Sequence, residues 1–157
     1  MILSAQSIRR REILSPCLEA GRAFGISHGL GPAGYDLRLA LPEWINGTRV
    51  SHEYKISPGE FLLASTIERF DMPDDLIAIA HDKSTLARRG LSVFNTVIEP
   101  GWHGFLTLEI VNHGPGKIEL QHGMGIAHVL FHQLDEPTEL PYTGKYQDQG
   151  QGPVGPR

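Results

Sequence analysis

Past Pro16 the chain never runs far without a turn. Short apolar runs alternate with Pro58-Gly59, Met72-Pro73-Asp74, Pro100-Gly101, Gly114-Pro115-Gly116 and His122-Gly123, the kind of punctuation that ends strands. The 18 glycines and 11 prolines supply it. Between the turns lie strand-like segments at 35–40, 60–66, 76–80, 91–98, 105–112, 118–120 and 126–131. Strands so short and so regularly spaced predict an all-β sandwich, jelly roll or distorted barrel. One short helix is expected near the N-terminus, with Ser4 as N-cap and a run through Ile8 and Ile13. Arg9, Arg10 and Arg11 are consecutive, so they fan around that helix as a solvated face and do not form one patch.

A length of 157 residues, 40% of them hydrophobic, suits a single domain over 1–157. A chain of this size buries roughly 68–70% of its unfolded surface, enough for its own core. The formal net charge of -4 argues against a protein that coats a nucleic acid polymer, which carries a basic excess. Any phosphate site must therefore be local. Cys17 is the single cysteine, so no intrachain disulfide forms and a reducing, cytoplasmic setting is expected. The opening MILSAQSIRRREIL lacks the long apolar segment of a signal peptide. No run approaches the roughly 18–20 apolar residues of a membrane helix. The final GQGPVGPR has only Val154 as an apolar residue and reads as a mobile tail.

HDKSTLARRGL, residues 81–91, is the most informative stretch. Ser84 or Thr85 can cap a short helix through Leu86, Ala87 and Arg88, closed by Gly90. The free N–H groups of a helix N-terminus suit a phosphate. Lys83, the two hydroxyls and the forked donors of Arg88 would complete a cradle. A capped turn with solvated basic side chains has the same sequence. A P-loop does not, because the glycine-rich run before the lysine is missing.

FLTLEIVN, residues 105–112, is the second feature. In a strand, Leu106, Leu108 and Ile110 share one face, and Phe105, Thr107, Glu109 and Val111 share the other. Glu109 then stands among largely apolar neighbours, where a carboxyl tends toward a raised pKa useful for proton transfer near neutral pH. A glutamate on the wet face of an edge strand fits the same pattern.

Zinc-dependent cytidine deaminases hold their metal with H-x-E and P-C-x-x-C motifs; one cysteine and neither motif exclude that chemistry here. His128 and His132 share a strand face, but HVLFH lacks the glutamate of a zinc protease, so they read as core or surface histidines. Cys17 has no neighbouring histidine, and no G-x-S-x-G elbow is present.

Taken in order, MILSAQSI, AGYDLRLA at 33–40, PGEFLLAST at 58–66, KSTLARRGL, IEPGWHGFLTLEIVN at 98–112, GMGIAHVLF at 123–131 and PYTGKYQDQGQGP at 141–153 resemble the dCTP deaminase branch of the dUTPase superfamily, nearly end to end. The resemblance implies a dUTPase-like distorted barrel or jelly roll with a short N-terminal helix and a second short helix at the phosphate site. It also implies a homotrimer with active sites between subunits, and a dCTP- or dUTP-type nucleotide bound with Mg2+ through its triphosphate. By the same resemblance, Lys83, Ser84, Thr85, Leu86, Ala87 and Arg88 form the phosphate turn and Glu109 is the catalytic carboxylate. Thr107 and Leu108 lie beside base and water, Glu99 contacts the sugar, and Tyr142, Lys145 and Gln149 belong to a tail (141–157) that orders over the nucleotide.

The reaction so implied is zinc-independent hydrolytic deamination of dCTP to dUTP and ammonia. Two departures fall on the pyrimidine side. LSVFNTVIEP is shorter than the deaminase pattern, with Thr96-Val97-Ile98 where glycine-containing backbone is usual, and Glu99 replaces the usual aspartate. They leave open a dUTPase-like or bifunctional dCTP-to-dUMP enzyme, a deaminase of a modified dCTP, and a non-catalytic nucleotide-binding regulator.

Overall fold

The computed structural model describes residues 1–157. A helix α1 (Ala5–Arg11) is followed by strands β1 (Leu14–Ser15), β2 (Gly21–Ala23), β3 (Ile26–Leu30), β4 (Tyr35–Ala40), β5 (Trp44–Ile45), β6 (Thr48–Arg49) and β7 (Glu53–Ile56). Then come β8 (Phe61–Asp71), β9 (Leu76–Asp82), the one-turn helix α2 (Ser84–Ala87), β10 (Leu91–Val93), β11 (Val97–Ile98), β12 (His103–Asn112), β13 (Ile118–Gln121) and β14 (Gly125–Gln133). The all-β expectation holds, with both short helices in place.

Ten strands form one curled antiparallel sheet along the path β10-β12-β8-β4-β14-β9-β11, with β1 on β8 and β2–β3 on β4. The curl comes from β4. Its first residues pair with β14, while Leu39 and Ala40 pair with Thr66 and Ser65 of β8. The carboxylate of Asp82, at the end of β9, accepts the backbone N–H of Val93 at 2.6 Å and ties β9 to β10 around α2. Inside lies one cluster of 34 buried apolar residues reaching from Leu3 to Phe131. None of them comes from the last segment, of which only the partly buried Tyr142 packs against the cluster.

The helix α1 stops at Arg11, not at Ile13. Glu12 takes a left-handed conformation (φ 51°, ψ 36°), which ends the helical ladder, and Ile13 is buried beyond it. Ser4 occupies the N-cap position without a side-chain cap bond. Of the arginines, Arg9 pairs with Glu19 and Arg11 with Asp75, so the helix is pinned to its surroundings by part of its polar face. The predicted strand 91–98 is two strands. Leu91–Val93 pairs with β12 and Val97–Ile98 with β9, on opposite ends of the sheet path.

Candidate active site

β12 is not an edge strand. It is bonded to β10 on one side and β8 on the other, with Glu109 opposite Leu63, so the wet-edge reading of Glu109 does not apply. Alternation sends Leu106, Leu108 and Ile110 into the core, and Glu109 emerges half-buried on the other face. The Leu106 N–H donates to the Thr66 hydroxyl at 3.0 Å where the β8 pairing shifts register.

Glu109 opens into a cavity of about 330 Å³. One wall is Thr96, Val97, Ile98 and Glu99 from the link into β11, and another is Trp102, Leu106 and Thr107. Tyr142, Tyr146 and Gln149 of the C-terminal segment close the third side. Burial raises the Glu109 carboxyl above the usual range, against the opposing pull of its own backbone N–H and the Thr96 hydroxyl. Its Oε2 is buried with no hydrogen-bond partner. A carboxyl so placed is poised to exchange a proton with whatever fills the cavity.

The tail is docked along β12. Backbone bonds run from Asp148 N–H to His103 C=O (3.0 Å) and from Phe105 N–H to Gln149 C=O (3.0 Å). The Trp102 indole donates to the Tyr146 carbonyl at 2.7 Å. Thr107 donates its hydroxyl to Gln149 Oε1 (3.1 Å) and accepts from Val154 N–H (3.0 Å). Gly104, at φ 140°, makes room: a Cβ there would meet the Gln149 backbone at 2.7 Å. Composition alone missed this because the segment is held mainly by hydrogen bonds to Trp102 and β12, with Tyr142 its one side chain packed against the core.

Of the residues expected around base, sugar and tail, Glu109, Thr107, Glu99, Tyr142 and Gln149 come together at this cavity. The Leu108 side chain is in the core, on the face opposite Glu109. Lys145 is exposed, over the Tyr146 ring at 5.1 Å from its centroid and bonded to the Arg157 carbonyl. Trp102, Tyr146, Leu106 and Thr96 line the cavity as well. Of these, the sequence reading sets only Thr96 on the pyrimidine side of the site.

The phosphate turn lies elsewhere on the chain. Lys83, not Ser84 or Thr85, occupies the N-cap position of α2, and no side chain caps it. Ser84, Thr85 and Arg88 are exposed, Leu86 is a core residue, and Gly90 closes the turn at φ 92°. The turn borders a second cavity of about 360 Å³ formed with Asp36, His81, Asp82 and His128. Here the Lys83 ammonium is paired with Asp36 and donates to the Ser27 hydroxyl at 2.9 Å. Burial pushes the Asp36 carboxyl up, but hydrogen bonds from His128, Lys83 and Ser27 outweigh it and hold the group at about 2. None of Lys83–Arg88 lines the Glu109 cavity, so within one chain the two halves of the expected site face separate cavities. No helix is long and apolar enough to cross a membrane.

Residues 43–134 match the family described as dCTP deaminase-like. The chain is 33% identical over 151 residues to the dCTP deaminase of Pyrococcus horikoshii, covering 94% of this chain and 92% of that one. It is 39% identical over 165 residues to the dCTP deaminase of Campylobacter fetus subsp. fetus, covering 92% and 89%. Among solved structures, the 2′-deoxycytidine 5′-triphosphate deaminase from Agrobacterium tumefaciens superposes with a TM-score of 0.65 at 20% identity, over 83% of this chain and 46% of that one. The EIAV dUTPase superposes at 0.53 and 20% identity, over 71% and 84%. The structural likeness establishes a dUTPase-like fold, and the family match over residues 43–134 includes α2, β11, β12 and β14, which supply part of the lining of both cavities. The chain belongs to the dCTP deaminase-like family.

Proposed function

We propose that this chain deaminates dCTP to dUTP and ammonia, with Glu109 moving the protons. The observation that carries the reading is the Glu109 carboxyl itself: half-buried on a doubly paired strand, raised by burial, with one oxygen buried and unpartnered. In the reaction Glu109 takes a proton from water as the water oxygen bonds to C4 of the cytosine ring. It delivers that proton to N3, then takes the proton of the new C4 hydroxyl and passes it to the amino group, so that C4 becomes a carbonyl as the C4–N bond breaks and ammonia leaves. Groups on the 96–99 wall hold the ring and steady the charge that develops on it. This proton traffic needs no zinc.

The triphosphate is assigned to the α2 turn, through its free N–H groups, Ser84, Thr85 and Arg88. These are hydrogen-bond donors and not carboxylates, a set that fits phosphate oxygens carrying their own magnesium ion; Mg2+ would neutralise part of the phosphate charge. Because α2 and Glu109 face different cavities of one chain, the complete site is assigned to the junction of two copies in a homotrimer. The exposed Phe61 and Phe94, whose rings lie 6.3 Å apart beside β12, support that assignment. We also place the protein in the cytoplasm.

The test is to incubate the protein with dCTP and Mg2+ and separate the products by anion exchange. Formation of dUTP with ammonia and no pyrophosphate is expected, and is abolished in Glu109→Ala while nucleotide binding remains. Full activity in that variant ends the reading. Glu99, an exposed carboxylate at the cavity rim, favours a second reading in which the triphosphate is also hydrolysed. In that case dUMP and pyrophosphate appear.

A further inference from the structure

The link 94–96 between β10 and β11 is tied down at both ends. The Phe94 N–H donates to the backbone carbonyl of Glu109 at 3.0 Å, and the Ala80 N–H on β9 donates to the carbonyl of Thr96 at 3.0 Å. These two bonds fix the link to the catalytic strand on one side and to β9 on the other. They leave the half-buried Thr96 side chain on the wall of the Glu109 cavity. Its hydroxyl lies 3.4 Å from the Phe94 carbonyl, a long contact that leaves the group free to serve another acceptor.

The acceptor available in the cavity is Glu109. Its Oε2 is buried and unpartnered. The other titratable groups lining the cavity are Glu99 at the rim and Tyr142 and Tyr146 on the tail; none is a cation. Within the chain no cation lines the cavity to steady a carboxylate there, so neutral donors favour its ionised form, and the Thr96 hydroxyl is one that opposes the effect of burial.

We propose that Thr96 is the positioning residue for Glu109: its hydroxyl donates to the carboxylate, aims it into the cavity and keeps it ionised far enough to accept the proton of water. The inference rests on Glu109 being the proton-moving group, and it adds the residue that decides the pH at which that group works. Burial raises the carboxyl and the Thr96 hydroxyl opposes the rise. Removing the hydroxyl raises the carboxyl further, so the base stays protonated, and turnover stays low, to a higher pH.

The experiment is the pH profile of dCTP turnover in Thr96→Val, Thr96→Ala and Thr96→Ser beside the parent and Glu109→Ala. One neutral hydrogen bond corresponds to an acid limb moved up by about half to one pH unit in the Val and Ala variants. At pH values below the limb, kcat falls by roughly threefold to tenfold, with KM little changed. Thr96→Ser, which keeps the hydroxyl, restores the parent limb; a purely structural role for Thr96 would lower the plateau without moving the limb. An unmoved limb in both Val and Ala variants, with Glu109→Ala inactive, overturns the Thr96 inference alone. Turnover surviving in Glu109→Ala overturns the assignment of Glu109 and this inference with it.

Discussion

Two carboxylates on this barrel are about equally withdrawn from water and have opposite fates. Asp36 on β4 receives hydrogen bonds from Ser27 (2.7 Å) and His128 (2.8 Å) and pairs with Lys83. It is held at about 2 despite its burial. Glu109 on β12 has no cation beside it and one oxygen with no partner, and burial raises it. Burial thus does not decide what a buried acid is for; the donors around it do. A satisfied carboxylate has nothing left to offer a substrate and serves the fold. An unsatisfied one is a cost to the fold that makes sense as a working group.

The sharpest way to break this contrast is to neutralise each acid in turn. Glu109→Gln keeps the shape and removes the proton acceptor, and turnover is expected to fall by about 10²–10⁴-fold. Stability should not fall with it. An acid raised in the folded state contributes stability at low pH that is lost as pH rises through its folded value, so at pH 8 the glutamine variant should melt no lower than the parent. A large drop in melting temperature would mean that Glu109 has structural partners, and the distinction between the two acids would be lost.

Asp36→Asn should do the reverse. It leaves the buried Lys83 ammonium without its counter-charge, and removing one member of a buried pair costs about 3 kcal/mol or more. Urea unfolding at pH 7 measures this directly. The pH dependence carries a second signature. A depressed carboxyl contributes stability that is present above its unfolded value and lost as pH falls through the folded one. For Asp36 that window runs from 3.8 down to about 2, corresponding to about 2 kcal/mol. The parent should lose this much between those pH values, and Asp36→Asn should not.

The same contrast marks what could be read in the sequence. Glu109 was legible because alternation along FLTLEIVN is local: each residue's face follows from its neighbours in the chain. The long strands were legible for the same reason, although β8 and β9 run further than their apolar runs suggested. Asp36 was not singled out, since its partners come from β3, β14 and the start of α2, distant in sequence and joined only by the fold. Lys83 therefore read as a free phosphate ligand when its ammonium is held within the chain. The break at 94–96 went unseen because Phe-Asn-Thr contains neither glycine nor proline; it is enforced by pairing with two different strands. Short strands such as β2, β5 and β6 lacked any period long enough to detect.

The docked tail bears on the contrast as well, because it helps to keep water from Glu109. Thr107 stands two residues away on the same face and holds the tail through both functions of its hydroxyl, donating to Gln149 and accepting from Val154. Thr107→Val removes both bonds while nearly conserving volume, and leaves a buried amide oxygen and a backbone N–H to find water. The expected cost is about 1–2 kcal/mol, small for the barrel but large for a segment anchored to the core only by the partly buried Tyr142. The tail of this variant should be cleaved faster by protease under native conditions, with the barrel's melting temperature nearly unchanged. Since desolvation is the largest cause raising Glu109, loosening the tail should let water in and lower its carboxyl. The acid limb of turnover then moves down, opposite in sign to the effect of Thr96→Val. If both variants move the limb the same way, hydration of the cavity and not the Thr96 hydroxyl governs Glu109. If they move it in opposite directions, the carboxyl is set by two separable neighbours, one that dries it and one that holds it.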